Sequence, residues 1–198
     1  MADVLELVEA RLRSALGEPE ARAAVTFLGT DRIEVLRFSS DTDGGLVRYA
    51  TLGMSRLPMG DPTVVLADPL RGPRAELVLS VRPAGAEVDK VLRPLAVLGA
   101  SPQVEGLVVS PGASLDVGEP LWPGAAFTSV LVAESGGLVE DLELDEPMDP
   151  VRFLPLLPMT GNEAAWKRVH GATALEERWL SHGTDLRDPL RRSVSLES

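Results

Sequence analysis

Over the first turns of the chain the apolar residues recur every three or four positions. Leu5, Val8, Leu12, Ala15 and Leu16 share one face while Glu6, Glu9, Arg11 and Arg13 lie elsewhere, the spacing of an amphipathic helix over residues 3–17. Asp3 can accept from the first free amides, and Gly17 with Pro19 ends the pattern. The period then shortens. Residues 26–28, 33–38 and 46–54 are rich in β-branched and aromatic side chains, which predicts three strands, with Asp41-Thr-Asp-Gly-Gly45 as the turn of a hairpin between the last two. In residues 74–81, Ala75, Leu77, Leu79 and Val81 face one way and Glu76 and Ser80 the other, the pattern of a half-buried strand.

A helical period returns at Val88, Val91, Leu92, Leu95 and Leu98. Pro94 is expected to kink or split that helix, because it removes a backbone donor. Residues 107–109 and 127–134 read as strands on either side of a Pro/Gly-rich excursion, 110–124. From residue 151 a proline-punctuated apolar run, VRFLPLLPMT, leads into two helical patterns. Thr160-Gly-Asn-Glu163 has the spacing of a capping box and Thr173-Ala-Leu-Glu176 repeats it. Gly171 and Gly183 stand where the two helices should stop. Their apolar members are Ala164, Trp166, Val169, Leu175, Trp179 and Leu180. No linker divides the chain. The order α-β-β-β-α-β-β-β-α-α predicts one α+β domain over residues 1–198, a mixed, mostly antiparallel β-sheet packed by helices.

Composition narrows the class. Of 198 residues, 44% are apolar and 25% charged, values of a globular chain and not of a disordered one. No run approaches the eighteen apolar residues of a membrane span. Residues 1–17 carry acids on an amphipathic period, unlike a secretory signal. Zero cysteines exclude disulfides, thiol catalysis and cysteine metal sites. A cytoplasmic location is the expectation. The net charge of −11 is unevenly placed: residues 1–150 hold 24 acids and 12 bases, residues 151–198 hold 6 and 7. Such a field serves solubility alone, or it repels nucleic-acid phosphates and speeds encounter with a protein that presents a basic face.

The chain shows no catalytic constellation. His170 and His182 each end a predicted helix, where the dipole favours a cation, and their separation has no metal-ligand spacing. There is no Gly-x-Ser-x-Gly elbow and no phosphate-binding loop, so neither a metal nor another cofactor is expected. The most distinctive charged stretch is residues 134–149, ESGGLVEDLELDEPMD, with seven acids and no base. It reads as a solvated loop or as a docking surface for a basic partner, with Leu138, Val139, Leu142 and Leu144 as apolar anchors. Candidate partner-binding residues are Glu140, Asp141, Glu143, Asp145 and Glu146, together with Trp122, a loop tryptophan between two prolines that could serve as a hot spot or as a lid over the core. Trp166 and Trp179 suit core packing. Arg187, Arg191 and Arg192 suit salt bridges to the acidic body.

Four blocks carry a family likeness: Thr51-Leu-Gly-Met-Ser55, Arg74-Ala-Glu-Leu-Val-Leu-Ser-Val81, the stretch 151–182, and Asp185-Leu-Arg-Asp-Pro-Leu-Arg-Arg-Ser-Val194. In this order they resemble the suppressor-of-fused domain family in its short bacterial form, from about residue 25 to 194. Matching positions include Gly53, Glu76, Leu77, Glu163, Gly171 and Arg192, which the resemblance marks as fold-defining. It implies a non-enzymatic domain that grips other proteins. Animal relatives sequester a transcription factor, and bacterial relatives are associated with polymorphic toxin systems as immunity proteins. The chain lacks room for the second half of the animal protein, so a groove between halves is not implied. Two other roles stay open: an adaptor or structural subunit of an assembly, and a hydrolase using dispersed carboxylates and a histidine.

Overall fold

The computed structural model describes residues 2–42, 44–60 and 63–197. Asp3 accepts from the Leu5 amide at 3.0 Å and opens α1 (Val4–Leu16), which buries Val8 and Leu12 and stops at Gly17. Then come β1 (Ala21–Val25), β2 (Ile33–Ser40), β3 (Leu46–Leu52) and β4 (Arg74–Val81). A 3-10 turn at Val88–Val91 feeds α2 (Leu92–Glu105). The chain continues through β5 (Ser114–Asp116), β6 (Phe127–Val132), β7 (Val151–Thr160), α3 (Gly161–His170) and α4 (Ala172–Ser181). Four strands precede α2, as many as the patterns at 26–28, 33–38, 46–54 and 74–81, and one more than the order α-β-β-β-α writes.

The seven strands form one sheet in the order β1-β2-β3-β4-β7-β6-β5. All neighbours are antiparallel except β4 and β7, which run parallel. With helices on both faces, this is an α+β fold. Proline in a central strand normally breaks the ladder, yet β7 contains Pro155 and Pro158. A stagger makes room for them. Pairing with β4 covers residues 151–156 of β7, whereas pairing with β6 begins at Leu156 and runs to Thr160. Pro155 therefore precedes the β6 ladder, and Pro158 lies beyond the end of the β4 ladder. The slot past β4 is taken by the C-terminal segment, whose Arg187 carbonyl accepts from the Arg82 amide at 2.9 Å.

On one face of the sheet α2 covers the largest core cluster, which includes Ile33, Tyr49, Leu77, Leu95, Leu154 and Trp122. The opposite face has two separate covers. α1 packs over Leu36, Phe38, Ala50, Val78 and Phe153, while α3 and α4 pack over Leu131 and Met159.

The structure corrects several local expectations. Residues 26–28 and 107–109 are not strands. The first strand is instead Ala21–Val25, paired antiparallel with β2. β4 is not half-buried: Glu76 and Val78 are as sheltered as Leu77 and Leu79, because helices cover both faces. Pro94 falls in the first turn of α2, where no amide is required, and the split lies just before it, between the 3-10 turn and the α-helix. The capping box at Thr160 and Glu163 forms with both bonds, but the second does not: α4 begins at Ala172 after Gly171 and has no side-chain cap. Val169 and Leu180 are exposed.

Candidate interaction surface

Among the described residues two carboxylates are fully buried, and both are held by hydrogen bonds. Glu76 sits on β4 and accepts from the Thr51 hydroxyl at 2.6 Å, the Ser55 hydroxyl at 2.5 Å, and the amides of Gly53 at 3.0 Å and Ser55 at 2.9 Å. All four donors are neutral. Burial pushes the Glu76 pKa up, and the hydroxyls and amides offset this only in part. Gly53 has φ 135°, and a Cβ there would meet the Arg32 carbonyl oxygen at 2.7 Å, so only glycine brings this amide to the carboxylate.

Glu163 caps α3 and faces a cation. Arg191 donates to both its oxygens, at 2.9 and 3.1 Å, and Trp179 Nε1 donates at 2.6 Å. Arg191 also donates to the Pro158 carbonyl at 2.6 Å, the group left free where β4 pairing ends, and lies over the Phe127 and Trp179 rings. Burial works to raise the Glu163 pKa, but the Arg191 bonds, the Thr160 amide and Trp179 carry it below the ordinary glutamate value. Arg192, the position matched by resemblance, is exposed; its neighbour Arg191 is the buried partner.

The histidines are equally engaged. His170 stacks on Trp166 with its Nδ1 3.0 Å from the Trp166 carbonyl, and His182 Nδ1 lies 2.9 Å from the Arg178 carbonyl. Among the described residues no group of three or more His, Asp or Glu is placed to hold a metal ion, and no helix is long and apolar enough to cross a membrane.

The acidic segment is a surface held by its own apolar residues. Leu142 and Val151 exchange backbone bonds at 2.9 Å, and Val139 and Leu142 are buried against the α1 side of the sheet. This turns Glu140, Asp141, Glu143, Asp145 and Glu146 outward, all exposed. Glu134 pairs with Arg152 at 3.1 Å and Glu140 approaches Arg11 at 3.7 Å. Asp149 accepts from the Gly72 amide. Among the described residues, the side chains of Asp141, Glu143, Asp145 and Glu146 have no ion pair or hydrogen bond. Five of the six candidate positions thus form one surface. The sixth does not join them. Trp122 is 1% exposed, edge-on to Phe127 at 5.7 Å, and its indole donates to the Pro189 carbonyl at 3.1 Å. The tryptophan between two prolines is a core residue that ties down the C-terminal segment.

Sequence reasoning passed over a second surface. Val65 and Leu66 are 96% and 90% exposed, with Leu57, Val64 and Leu70 also exposed nearby in the chain. Beside them lies a concavity of about 750 Å³ lined by Met54, Leu57, Met59, Val64 and Pro102. The signal was present as Val64-Val65-Leu66, an apolar run between Pro62 and Pro69 that no periodicity places in a core.

Residues 29–192 match the family model described as suppressor of fused protein. The chain belongs to the suppressor-of-fused family. Solved structures agree on the fold. A suppressor-of-fused homologue from Neisseria gonorrhoeae superposes with a TM-score of 0.71 at 19% identity, covering 99% of each chain. A suppressor-of-fused chain solved in a Sufu-Fu complex gives 0.66 at 15% identity, covering 96% of this chain and 91% of that one. Drosophila Suppressor of Fused gives 0.61 at 14% identity, and there this chain spans 97% of itself but 50% of the Drosophila chain. No curated protein sequence matches the chain.

Proposed function

We propose that this suppressor-of-fused domain is a non-enzymatic binding protein whose acidic segment recruits a partner with a basic face. The observation that carries this is the outward presentation of Asp141, Glu143, Asp145 and Glu146 with no intramolecular base, on a segment whose Val139 and Leu142 are locked into the core. Charges held this way are organised before encounter, so they steer association at little ordering cost. An immunity role, in which the partner is a toxin neutralised by the complex, is the specific form of this reading that the bacterial resemblance favours. A neutral cage around Glu76 and a bidentate pair at Glu163 engage both fully buried carboxylates among the described residues, which argues against a hydrolase.

The exposed run at Val64 to Leu66 favours a second reading, an adaptor or structural subunit of an assembly, since contiguous exposed apolar residues mark contact surfaces. One experiment separates the two. A co-purifying partner is measured by stopped-flow association over a salt series, with the wild-type chain and with the triple variant Asp141→Asn, Glu143→Gln, Asp145→Asn. Recruitment by the acidic segment slows association several-fold in the variant and flattens its salt slope. An unchanged on-rate and salt slope, with binding lost in Val65→Asp instead, establishes the assembly reading.

A further inference from the structure

The two covers on the second face of the sheet do not meet. Between the α1 cluster and the α3–α4 cluster lies a pocket of about 360 Å³. Its floor is Val78 and Ser80 of β4 with Phe153, Pro155 and Leu157 of β7, and its walls are residues 135–139 on one side and Leu186 and Arg187 on the other. The stagger of β7 creates it. Where β4 pairing stops at Leu156, the neighbouring chain is the C-terminal segment, reached through Arg82, and not another strand.

The chemistry of this pocket is uneven. Its lining is mainly apolar, with Ser80 and Ser135 among the polar members, and Leu138 is 43% exposed. Carboxylates bracket the wall formed by residues 135–139: Glu134 precedes it and Glu140 follows it, leading into the exposed acids to Glu146. Glu134 also stands near Glu176 of α4, whose pKa is raised by burial and then by that like charge. The opposing bases are Arg152, paired with Glu134, Arg11, beside Glu140, and Arg187 on the far wall, which has no ion pair among the described residues. The acids outnumber these bases, and they concentrate on one side.

We propose that this pocket takes a single apolar side chain from a protein partner, flanked by lysine or arginine residues that lie along the acidic segment. The inference rests on the partner-binding reading and refines it. Val139, Leu142 and Leu144 of the acidic segment pack against the core and are not the anchors; the anchor is supplied by the partner and the pocket receives it. Arg187 on the far wall disfavours basic residues on that side, so the basic flank has one orientation. A volume of 360 Å³ is at the lower end of ligand pockets, which run to roughly 300–1,000 Å³, and suits one large side chain better than an extended ligand. The acids set the rate of encounter and the buried side chain sets the rate of escape.

The test uses synthetic peptides as probes and methyl NMR spectra of the full chain. Acetylated, amidated Phe-Gly-Lys-Lys-Lys, with its bases on one side of the aromatic residue, is titrated beside Ser-Gly-Lys-Lys-Lys, Phe-Gly-Glu-Glu-Glu and decanoate. The expected result is a saturable shift of the Val78, Leu138, Leu157 and Leu186 methyls with the first peptide alone, and an affinity about tenfold or more above the serine peptide, the effect of burying one large apolar side chain. Ser135→Phe fills the pocket from a loop and should abolish those shifts, while its unchanged remaining spectrum shows that the fold is kept. Ser80→Phe repeats the test from the floor. Equal affinity for the phenylalanine and serine peptides overturns the proposal, as do shifts confined to other methyls or no binding at all. Decanoate that binds the same methyls and displaces the peptide reassigns the pocket to a small amphiphile. A natural partner held equally by wild type and Ser135→Phe overturns the pocket but leaves the partner-binding reading standing.

Discussion

Glu76 and Glu163 are both sealed from water, one at the centre of the sheet and one at the start of α3, and they are satisfied in opposite ways. Glu76 has four neutral donors and no cation. Glu163 has a bidentate arginine, an indole and its own capping amide. A cage of hydroxyls and amides locks backbone geometry, because two of its donors are the amides of Gly53 and Ser55 on the turn after β3. An ion pair locks tertiary arrangement, because Arg191 lies 28 residues beyond Glu163 and brings the C-terminal segment with it. Turn conformation and terminal docking are thus held by the same residue type through different partners.

Breaking the ion pair should have the largest effect. Arg191→Met leaves Glu163 buried without its cation and also frees the Pro158 carbonyl, and such a loss is expected to cost about 3–5 kcal/mol. Urea denaturation followed by tryptophan fluorescence measures it. Glu163→Gln should be severe as well, because its amide group turns a donor toward Arg191 or Trp179. Pairing Arg191→Met with Glu163→Leu should recover part of the loss, as replacement of a buried pair by apolar residues does. If the double variant is as unstable as the sum of the two, the pair is worth no more than its separate packing.

Glu76→Gln sharpens the contrast. The amide nitrogen must face at least one donor in a cage that supplies only donors, so a loss of about 1–3 kcal/mol is expected. The removal of a buried charge works the other way and keeps the cost below that of Arg191→Met. A loss as large as that of Arg191→Met would show that the neutral cage is as strong as the ion pair.

The two carboxylates should also leave opposite marks on the pH dependence of stability. The folded-state pKa of Glu163 is lowered. Its contribution is therefore present above the unfolded glutamate value and lost as pH falls through the folded one. The folded-state pKa of Glu76 is raised, so its contribution is complete below the unfolded value and lost as pH rises through the folded one. Chemical denaturation from pH 3 to 8 should show the acid limb flattened in Glu163→Gln and the rise-side loss flattened in Glu76→Gln. Identical profiles for the two variants would dissolve the comparison.

The same contrast explains what the sequence could disclose. α1, the β2–β3 hairpin and the Thr160 capping box were legible because their signals are local: a 3.6 period, a Gly-rich turn, and a hydroxyl three residues before a carboxylate. Gly53 and Glu76 stood out through the blocks that hold them, but their bond crosses 23 residues and no local pattern states it. β1, with the sequence ARAAV, lacks strand propensity and is formed by pairing with β2. Trp122 looked available because its prolines and loop are local, while the carbonyl that buries it lies 67 residues away. In the acidic segment the alternation of acids and leucines was visible, yet which face turned inward depended on the Leu142–Val151 bridge. Arg191 and Arg192 could not be told apart until the C-terminal segment was placed.

The smallest effect belongs to carboxylates that hold nothing. Asp141, Glu143 and Asp145 are exposed and have no intramolecular partner among the described residues, in contrast to both buried glutamates. Neutralising all three as Asn, Gln and Asn removes no hydrogen bond of the fold. Surface changes of this kind usually stay within about 0.5 kcal/mol of wild type, and here the sign should be slightly stabilising, because self-repulsion on a chain of net charge −11 is relieved. That gain should shrink as salt is raised, since exposed charges are screened. Thermal denaturation at low and high ionic strength reads both quantities. A clear loss of stability at low salt would mean that the segment's charges hold the fold, as Glu163 does. The segment could not then be free to serve a partner.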